Sequence, residues 1–298
     1  MGENSITEVG MNMKFRVEIR PDGGRILLAG RGRLADKTVL MGPPRSGKTT
    51  FLHLLFSLLT PDSEESADVA YSIADSLLEP GGFFELEAGE FHISCHKTDD
   101  EGDSIVCSRN KKPRIGDVFI FYEGVELTLK QPRAVNPMFM KMLQRMERYA
   151  DKARGLFRYA LVRREDGKWY EIVGIKPLAL EHASRAVAVV GFLERLAEGF
   201  DGWILLDSTL DGLHPEESLY AAARLLASGA RVVVSTHSPW VKDLFLCAPA
   251  TLRLAGLKPR RVSVVAYEIV GGEFKRIDFS DYGAVYSKLY EACNNEAR

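Results

Sequence analysis

The 298-residue sequence contains no long apolar run and no marked excess of one charge. Its longest apolar run, residues 186–193, is far shorter than the roughly 20 residues that a membrane-crossing helix needs. Lys and Arg together number 39 against 41 Asp and Glu, which gives a net charge of −2. The sequence therefore predicts no membrane span and no overall basic field that would attract nucleic acid, although a local basic patch stays possible.

Cysteine is also scarce, and its four positions form no CxxC pair: Cys95, Cys107, Cys247 and Cys293. The first ten residues, MGENSITEVG, lack the apolar segment of a secretory signal peptide. We therefore expect a cytoplasmic protein with reduced thiols.

The segment FHISCHK invites a zinc interpretation, but it is typical of a strand. Alternation would place His92 and His96 on one face and Cys95 on the other, so these ligands would not converge on one ion. The sequence therefore does not favour a zinc site made of His92, Cys95, His96 and Cys107.

The sequence pattern divides the chain into a core and an insert. Apolar strands alternate with helices near both ends, which is typical of a parallel sheet covered on both faces. We predict an α/β fold in which 13–60 and 176–298 form one mostly parallel core. Residues 61–175 are predicted to form an inserted lobe, antiparallel β over 83–130 and helical over 137–153, within a single domain of 1–298.

Individual elements follow from hydrophobic periodicity and turn residues. The predicted strands and hairpins are a hairpin over 13–30, strands at 37–41, 203–206 and 231–235, a hairpin around 165–167 and a closing hairpin after 262. The predicted core helices cover 49–59, 181–198, 215–226 and 281–293, and a polar stretch at 60–70 follows the first of them.

Residues 42–49 read GPPRSGKT and match the phosphate-loop pattern GxxxxGK[ST]. An apolar strand precedes this loop and an apolar helix follows it, which is the context that the motif requires. Lys48 is expected to bridge the β- and γ-phosphates of ATP, and Thr49 to place its hydroxyl on Mg²⁺. The predicted nucleotide contacts are Gly42, Pro43, Pro44, Arg45, Ser46, Gly47, Lys48, Thr49 and Thr50.

A second part of the predicted site follows an apolar strand, WILL, that ends in Asp207. In a phosphate-loop fold such a strand is expected beside the loop, and its carboxylate acts on the metal side of the nucleotide. Thr49 and Asp207 are therefore the predicted Mg²⁺ residues. The other interpretation of Asp207 is a turn or cap residue.

Two further segments carry a resemblance to a known family. Residues 207–215, DSTLDGLHP, resemble the extended Walker B motif and D-loop of ABC-type ATPases, most closely the OLD-like and RecF-related group with its LHP ending. Residues 232–239, VVVSTHSP, resemble the switch-histidine strand of that group. The resemblance implies that His237 touches the γ-phosphate or the attacking water; the alternative is a capping histidine.

One residue departs from the family pattern. The resemblance implies a glutamate base after the Walker B aspartate, but this chain has Ser208. A serine hydroxyl is no general base unaided, because its pKa lies far above neutrality. Either Asp211 and His237 position the water, or turnover is very slow. The predicted catalytic residues are accordingly Lys48, Asp207, Asp211 and His237.

Two motifs of ABC-type domains are degenerate here. The segment 177–187 stands where the family has its signature motif, so Ser184 could bind the nucleotide of an opposing subunit or could simply be buried at a helix start. The sequence contains two glutamines, Gln131 and Gln144, and Gln131 is the better candidate for the Q-loop glutamine because it lies where the predicted β and helical parts of the insert meet; the alternative is a solvated loop residue.

The resemblance implies an ATP-binding protein that uses Mg²⁺, hydrolyses ATP and forms an ATP-dependent homodimer acting on an unknown protein or nucleic-acid partner. A non-hydrolysing, nucleotide-responsive interaction module is the alternative, which Ser208 favours. A small-molecule kinase is a third possibility, but kinases of this class normally lack the STHS strand.

Overall fold

A computed structural model describes residues 13–61, 63–98, 104–111, 117–121, 145–150, 153, 157–165 and 168–279. Fourteen strands lie in these ranges, eleven of them in one sheet of order β6-β5-β4-β1-β2-β14-β13-β3-β12-β11-β7. In the described ranges the strands are β1 Met13–Arg20, β2 Leu28–Leu34, β3 Lys37–Met41, β4 Phe83–Ala88, β5 Phe91–Lys97, β6 Ile105–Arg109, β7 Val118–Phe121, β8 Leu161–Arg163, β9 Trp169–Val173, β10 Lys176–Ala179, β11 Trp203–Asp207, β12 Arg231–Thr236, β13 Val264–Val270 and β14 Glu273–Ile277.

The helices connect and cover these strands. Those with complete bounds are α1 Lys48–Leu59, α2 Ser63–Leu77, α3 Arg185–Gly199, α4 Pro215–Ala227, α5 Pro239–Leu246 and α6 Ala248–Leu254. Residues 145–150 are also helical, as predicted for part of 137–153, and a 3₁₀ turn at Leu180–His182 precedes α3. None of the helices in the described ranges is long and apolar enough to cross a bilayer.

The parallel half of the sheet comprises β13, β3, β12, β11 and β7. Every residue of β3, β7 and β11 is buried, as expected for strands covered on both faces. The register pairs Met41 with Thr236 and Asp207 with Ser235. The carboxyl ends of β3, β12 and β11 therefore meet at one edge of the sheet, where ligands bind in open α/β sheets.

The antiparallel half comprises β6, β5, β4, β1 and β2. Residues of β1 and β5 alternate between buried and more exposed, so one face packs on the core and the other faces solvent. The predicted hairpin at the start of the chain is confirmed, and its second strand runs to Leu34. β13 and β14 form the predicted closing hairpin; the helix predicted over 281–293 lies outside the described residues.

The middle of the chain holds one helix that was not predicted and one prediction that is wrong. The polar stretch at 60–70 contains the beginning of α2, where Val69, Ala70, Ile73 and Ala74 form a buried stripe at helical spacing. β7 is not antiparallel: it runs parallel to β11 inside the core. Its four-residue apolar run, VFIF, is typical of a strand buried on both faces, and only the register with Trp203–Leu206 reveals its neighbour.

The expectation of reduced cysteines is wrong for one pair. Cys95 of β5 and Cys107 of β6 lie directly opposite each other and form a disulfide, with Cα atoms 4.1 Å apart. The pairing depends on the register of two strands, which cysteine spacing alone does not give. Cys247 is a free thiol.

The predicted hairpin around 165–167 is confirmed as β8 and β9, to which β10 adds a third antiparallel strand. This small sheet is fastened to α3. The buried carboxylate of Glu194 accepts the backbone N–H groups of Arg158 and Tyr159 at 2.8 and 3.1 Å. Arg195 donates to the carbonyl oxygens of Tyr159 and Leu161. The backbone of 158–161 is therefore hydrogen-bonded to two charged side chains of α3.

Candidate active site

The phosphate-loop segment joins the end of β3 to the start of α1. Gly47, the N-cap of α1, has φ +93°, a conformation that favours glycine. A Cβ on Gly42 would lie 2.7 Å from the carbonyl oxygen of Ile269, so only glycine lets the loop pass this strand. Pro43, Pro44 and Arg45 are exposed, and the loop is therefore open to a ligand from solvent.

Lys48 folds back over this loop. Its Nζ donates to the carbonyl oxygens of Gly42 and Pro43 at 2.7 and 2.8 Å and approaches Ser46 Oγ at 3.3 Å. Burial lowers the pKa of Lys48, while the carboxylates of Asp207 and Asp211 oppose that shift. The ammonium group is thus held within the phosphate loop by neutral oxygen acceptors, close to the carboxylates of Asp207 and Asp211.

Thr49 and Asp207 meet across the site, although 158 positions separate them in the sequence. Thr49 Oγ1 donates to Asp207 Oδ2 at 2.7 Å, and Ser235 Oγ donates to the other carboxylate oxygen. Asp207 is 8% exposed, whereas Thr49 is exposed. A carboxylate beside a hydroxyl is a hard-oxygen donor set, and this pair therefore fits Mg²⁺.

The end of the strand that carries Asp207 lies beside the phosphate loop, as predicted, but this strand is not the sheet neighbour of β3. β12 lies between β11 and β3, and it is parallel to both. Thr49 bridges the gap because α1 begins at the same edge of the sheet. The intervening β12 brings Ser235 and Thr236 into the site, and both hydroxyls bond acidic groups.

Asp211 and His237 form a pair beside this centre. His237 Nδ1 lies 2.9 Å from Asp211 Oδ2, and the backbone N–H of His237 donates to the same oxygen at 3.1 Å. Thr236 Oγ1 donates to the other oxygen of Asp211. Burial raises the pKa of Asp211, while these hydrogen bonds oppose the shift. The Asp211 side chain is 5% exposed and that of His237 is 54% exposed, so a buried carboxylate orients an accessible imidazole.

Ser208 occupies a tight turn directly after Asp207. Its φ is +49°, and its backbone N–H donates to the carbonyl oxygen and to Oγ of Ser235, both at 3.1 Å. The turn therefore points the chain from β11 towards Asp211. The position has no carboxylate at the place where the family resemblance implies a base.

Ser184 is the N-cap of α3, and its Oγ accepts the backbone N–H of Val187 at 3.3 Å. It is exposed, so the alternative of a serine buried for packing is wrong. The next residue, Arg185, donates to the carbonyl oxygen of Thr209 at 3.4 Å. Arg185 Nη1 also lies over Gly212, 2.3 Å from where a Cβ would stand, so the Arg185 side chain rests against the loop after Asp207.

The structure thus brings most predicted site residues to one edge of the sheet. The loop 42–49, Asp207, Asp211 and His237 lie together, and Thr50 lies in the first turn of α1. Among the described contacts none links Ser184 to Lys48, Thr49 or Asp207. Gln131 lies outside the described residues.

Sequence reasoning missed the roles of Ser235 and Thr236. Both stand in the STHS segment, and strand alternation alone cannot show that they bond carboxylates on the neighbouring loop. His53, one turn beyond Thr49 on α1, was also missed: burial lowers its pKa, and Asp207 opposes that shift. Its helical spacing from Thr49 was the available signal.

No family model and no curated protein matches this chain. Solved structures share its fold. An Smc head bound to the C-winged helix domain of ScpA aligns over 89% of this chain and 96% of its own, with 14% identity and a TM-score of 0.53. An Smc head from Pyrococcus furiosus aligns over 95% and 99%, with 10% identity and a TM-score of 0.50. The recombination mediator RecF aligns over 89% and 98%, with 9% identity and a TM-score of 0.48.

These likenesses define the class of fold. The chain shares the mixed α/β fold, with one large sheet, of these Smc head domains, in agreement with the fold class that the sequence resemblance implied. At such identities the comparison concerns architecture alone, and the function rests on the residues of the site.

Proposed function

We propose that this chain binds Mg²⁺–ATP between the phosphate loop and Asp207 and hydrolyses it slowly. The observation that carries the proposal is the hydrogen bond of 2.7 Å between Thr49 Oγ1 and Asp207 Oδ2. It joins the last residue of the GxxxxGK[ST] pattern to the carboxylate at the end of β11. A chance match to the pattern would not require an acidic partner from a different strand.

In the proposed complex Lys48 exchanges its bonds to Gly42 and Pro43 for the β- and γ-phosphates. The exchange is favourable because a charged acceptor binds an ammonium group more strongly than a neutral carbonyl does. Thr49 and Asp207 would hold Mg²⁺, which neutralises charge on the β- and γ-phosphates when bound. The backbone N–H groups at the start of α1 add positive potential to the same place.

Asp211 and His237 are proposed to position the attacking water in place of the missing glutamate. Asp211 holds the ring of His237 through Nδ1, and because the His237 side chain is exposed, Nε2 is the nitrogen proposed to meet water. An imidazole oriented in this way accepts a hydrogen bond from water and lies at the ligand-binding edge of the sheet. Phosphoryl transfer depends mainly on positioning and charge, so such an arrangement supports slow turnover without a carboxylate at Ser208.

A dimer is the second part of the proposal. Ser184 is exposed at the start of the 15-residue helix α3. This helix start can bind a phosphate of the ATP that a second copy of the chain holds. Arg185 and Gly212 link this helix start to the loop after Asp207. We propose an ATP-dependent homodimer whose association acts on a protein or nucleic-acid partner; in one solved relative of this fold, the partner is a winged-helix domain of ScpA.

The test is calorimetry with Mg²⁺–ATP together with measurement of phosphate release, on wild type and on Lys48→Ala. We expect wild type to bind and to release phosphate slowly, and the variant to lose at least about tenfold in affinity, because a charged hydrogen bond contributes roughly 1.5–3 kcal/mol. Lys14→Ala, on the exposed side of β1, is the matched control and should match wild type. Equal affinity in all three proteins would contradict the proposal.

A non-hydrolysing, nucleotide-responsive module is the second candidate, and Ser208 favours it. It predicts ATP-dependent association with no phosphate release above that of Lys48→Ala. Sedimentation with ATP, combined with the phosphate assay, separates this candidate from a slow ATPase.

A further inference from the structure

A cluster of metal-ligating side chains lies on the antiparallel half of the sheet, outside the nucleotide site. Glu85 and Glu87 belong to β4 and His92 to β5; one ligand atom from each residue lies within 4.8 Å of the others. His92 Nε2 is 3.2 Å from Glu85 Oε1. In the sheet order β1, β2, β14 and β13 separate β4 from β3, so this cluster is independent of the phosphate loop.

The register of two strands produces the cluster. His92 stands directly opposite Glu87, and Glu85 lies two residues before Glu87 on the same face. β4 and β5 are paired along their whole length, from Phe83 with His96 to Ala88 with Phe91. The three Cα positions are therefore fixed by a continuous hydrogen-bonded ladder, and only side-chain rotation is needed for the donors to converge.

The charges around this cluster are mixed, because Arg16 of β1 stands directly opposite Glu87. Glu18 of β1 stands directly opposite Glu85, and like charges in such a position repel. The nearby arginines pair with Glu18: Arg20 Nε lies 2.7 Å and Arg16 Nη2 3.8 Å from its carboxylate. Within the described ranges, no arginine or lysine forms an ion pair with Glu85 or Glu87.

We propose that Glu85, Glu87 and His92 bind a divalent transition-metal ion, with Zn²⁺ as the probe. One imidazole nitrogen and two carboxylate oxygens form a donor set that zinc accepts. Tetrahedral bonds of roughly 2.1 Å place neighbouring donors about 3.4 Å apart, close to the 3.2 Å between His92 and Glu85. Glu87 is exposed, so its carboxylate can rotate towards the other two ligands, and water would complete the shell.

The same strand provides a matched control. His96 lies four residues after His92 and, by strand alternation, on the same face. It stands opposite Phe83 on β4 and Val106 on β6, so its cross-strand neighbours offer no carboxylate. The nearest cysteines, Cys95 and Cys107, are joined to each other and are not thiolate ligands.

The experiment titrates the nucleotide-free chain with Zn²⁺ alone and measures affinity by competition with a zinc-binding dye. We expect a wild-type site that weakens at least about tenfold in His92→Gln and in the Glu85→Gln, Glu87→Gln double variant, and that is unchanged in His96→Gln. Zinc bound elsewhere persists in His92→Gln, so the difference between these proteins reports the proposed site. Equal affinity in wild type and His92→Gln, or equal loss in His96→Gln, overturns the proposal.

A second measurement uses only the wild-type chain, so it does not depend on the folding of a variant. The sequence has six histidines, whose imidazole signals are resolved by NMR after assignment. We expect substoichiometric Zn²⁺ to shift or broaden the His92 signals and to leave those of His96 in place. Changes that spare His92 would overturn the proposal, whatever the total amount of zinc bound.

Discussion

Lys37 is a fully buried lysine at the start of β3. Its Nζ donates to the carbonyl oxygen and hydroxyl of Ser228 at 3.3 and 3.2 Å and to the carbonyl oxygen of Ala230. Burial lowers the pKa of Lys37 to about 7, and the positive charge of Arg260 acts in the same direction. No carboxylate stands among these hydrogen-bond partners, although the negative charge of Asp36 acts to raise the pKa of Lys37.

This burial predicts a dependence of stability on pH. Between pH 7 and about 10 the unfolded chain keeps the Lys37 proton that the folded chain has lost, so the free energy of unfolding rises with pH. The rise is at most about 4 kcal/mol, since one pKa unit corresponds to roughly 1.4 kcal/mol. Urea unfolding of wild type and Lys37→Met across this range is the measurement. Parallel curves for the two proteins would refute the assignment.

A single substitution at Ser208 is expected to change the rate of ATP hydrolysis more than a substitution at any other residue of the site. Ser208→Glu supplies a carboxylate where the family has its base, and general bases accelerate reactions by roughly 10²–10⁴-fold. Ser208 already has φ +49°, so the variant inherits a backbone strain that serine already carries. We expect single-turnover ATP hydrolysis to become at least about tenfold faster. Ser208→Gln is the control, and a glutamate variant no faster than the glutamine variant would contradict this prediction.

At the scale of elements, the ends of β1, α2 and β5 meet at Gly82, just before β4. The carbonyl oxygen of Pro21, after β1, accepts the N–H of Glu79, after α2, and the carbonyl oxygen of Gly82 accepts the N–H of Lys97, the last residue of β5. A Cβ on Gly82 would lie 1.9 Å from the Pro21 carbonyl oxygen. This neighbour is backbone, so the clash is relieved only by moving the ends of the strands.

Gly82→Ala should therefore destabilise the chain by about 3 kcal/mol, at the upper end of overpacking costs. Gly199→Ala is the matched control, because nothing lies within 4 Å of a Cβ there and alanine suits a helix end better than glycine. Thermal unfolding of the two variants is compared with wild type. Equal melting temperatures for Gly82→Ala and Gly199→Ala would show that the strand ends adjust freely.

Elements defined by local patterns were predictable, and those defined by tertiary pairing were not. The strand Lys37–Met41, the loop 42–47 and α1 follow from a short apolar run, the phosphate-loop motif and a mostly apolar helix sequence. The parallel placement of β7 depends on its register with the distant strand β11, and the Cys95–Cys107 bond depends on the register of the consecutive strands β5 and β6. α2 was missed because its charged face hides a narrow buried stripe.

The residues of the two proposed sites also differ in how far the sequence predicts them. Lys48, Thr49 and Asp207 belong to motifs whose chemistry can be predicted from sequence. The hydroxyls of Ser235 and Thr236 acquire their roles only because β12 lies between β3 and β11. The cluster at Glu85, Glu87 and His92 likewise exists only in the paired register of β4 and β5.

At the scale of the whole molecule, one sheet holds both proposed sites. The nucleotide site stands at the carboxyl ends of the parallel strands, and the proposed metal cluster lies on the antiparallel strands beyond β1. The helix start at Ser184 reaches the loop after Asp207 through Arg185. A dimer that uses Ser184 would therefore contact the same loop that carries Asp211, which couples association to the groups proposed to position water.

The most decisive measurement is the affinity of ATP, with Mg²⁺ and with EDTA, for wild type and Asp207→Asn. The contact between Thr49 and Asp207 predicts that Mg²⁺ strengthens ATP binding to wild type and that Asp207→Asn abolishes most of this gain while retaining metal-free binding. Wild type that binds no ATP at millimolar concentration, or a variant with the full magnesium effect, would contradict the account.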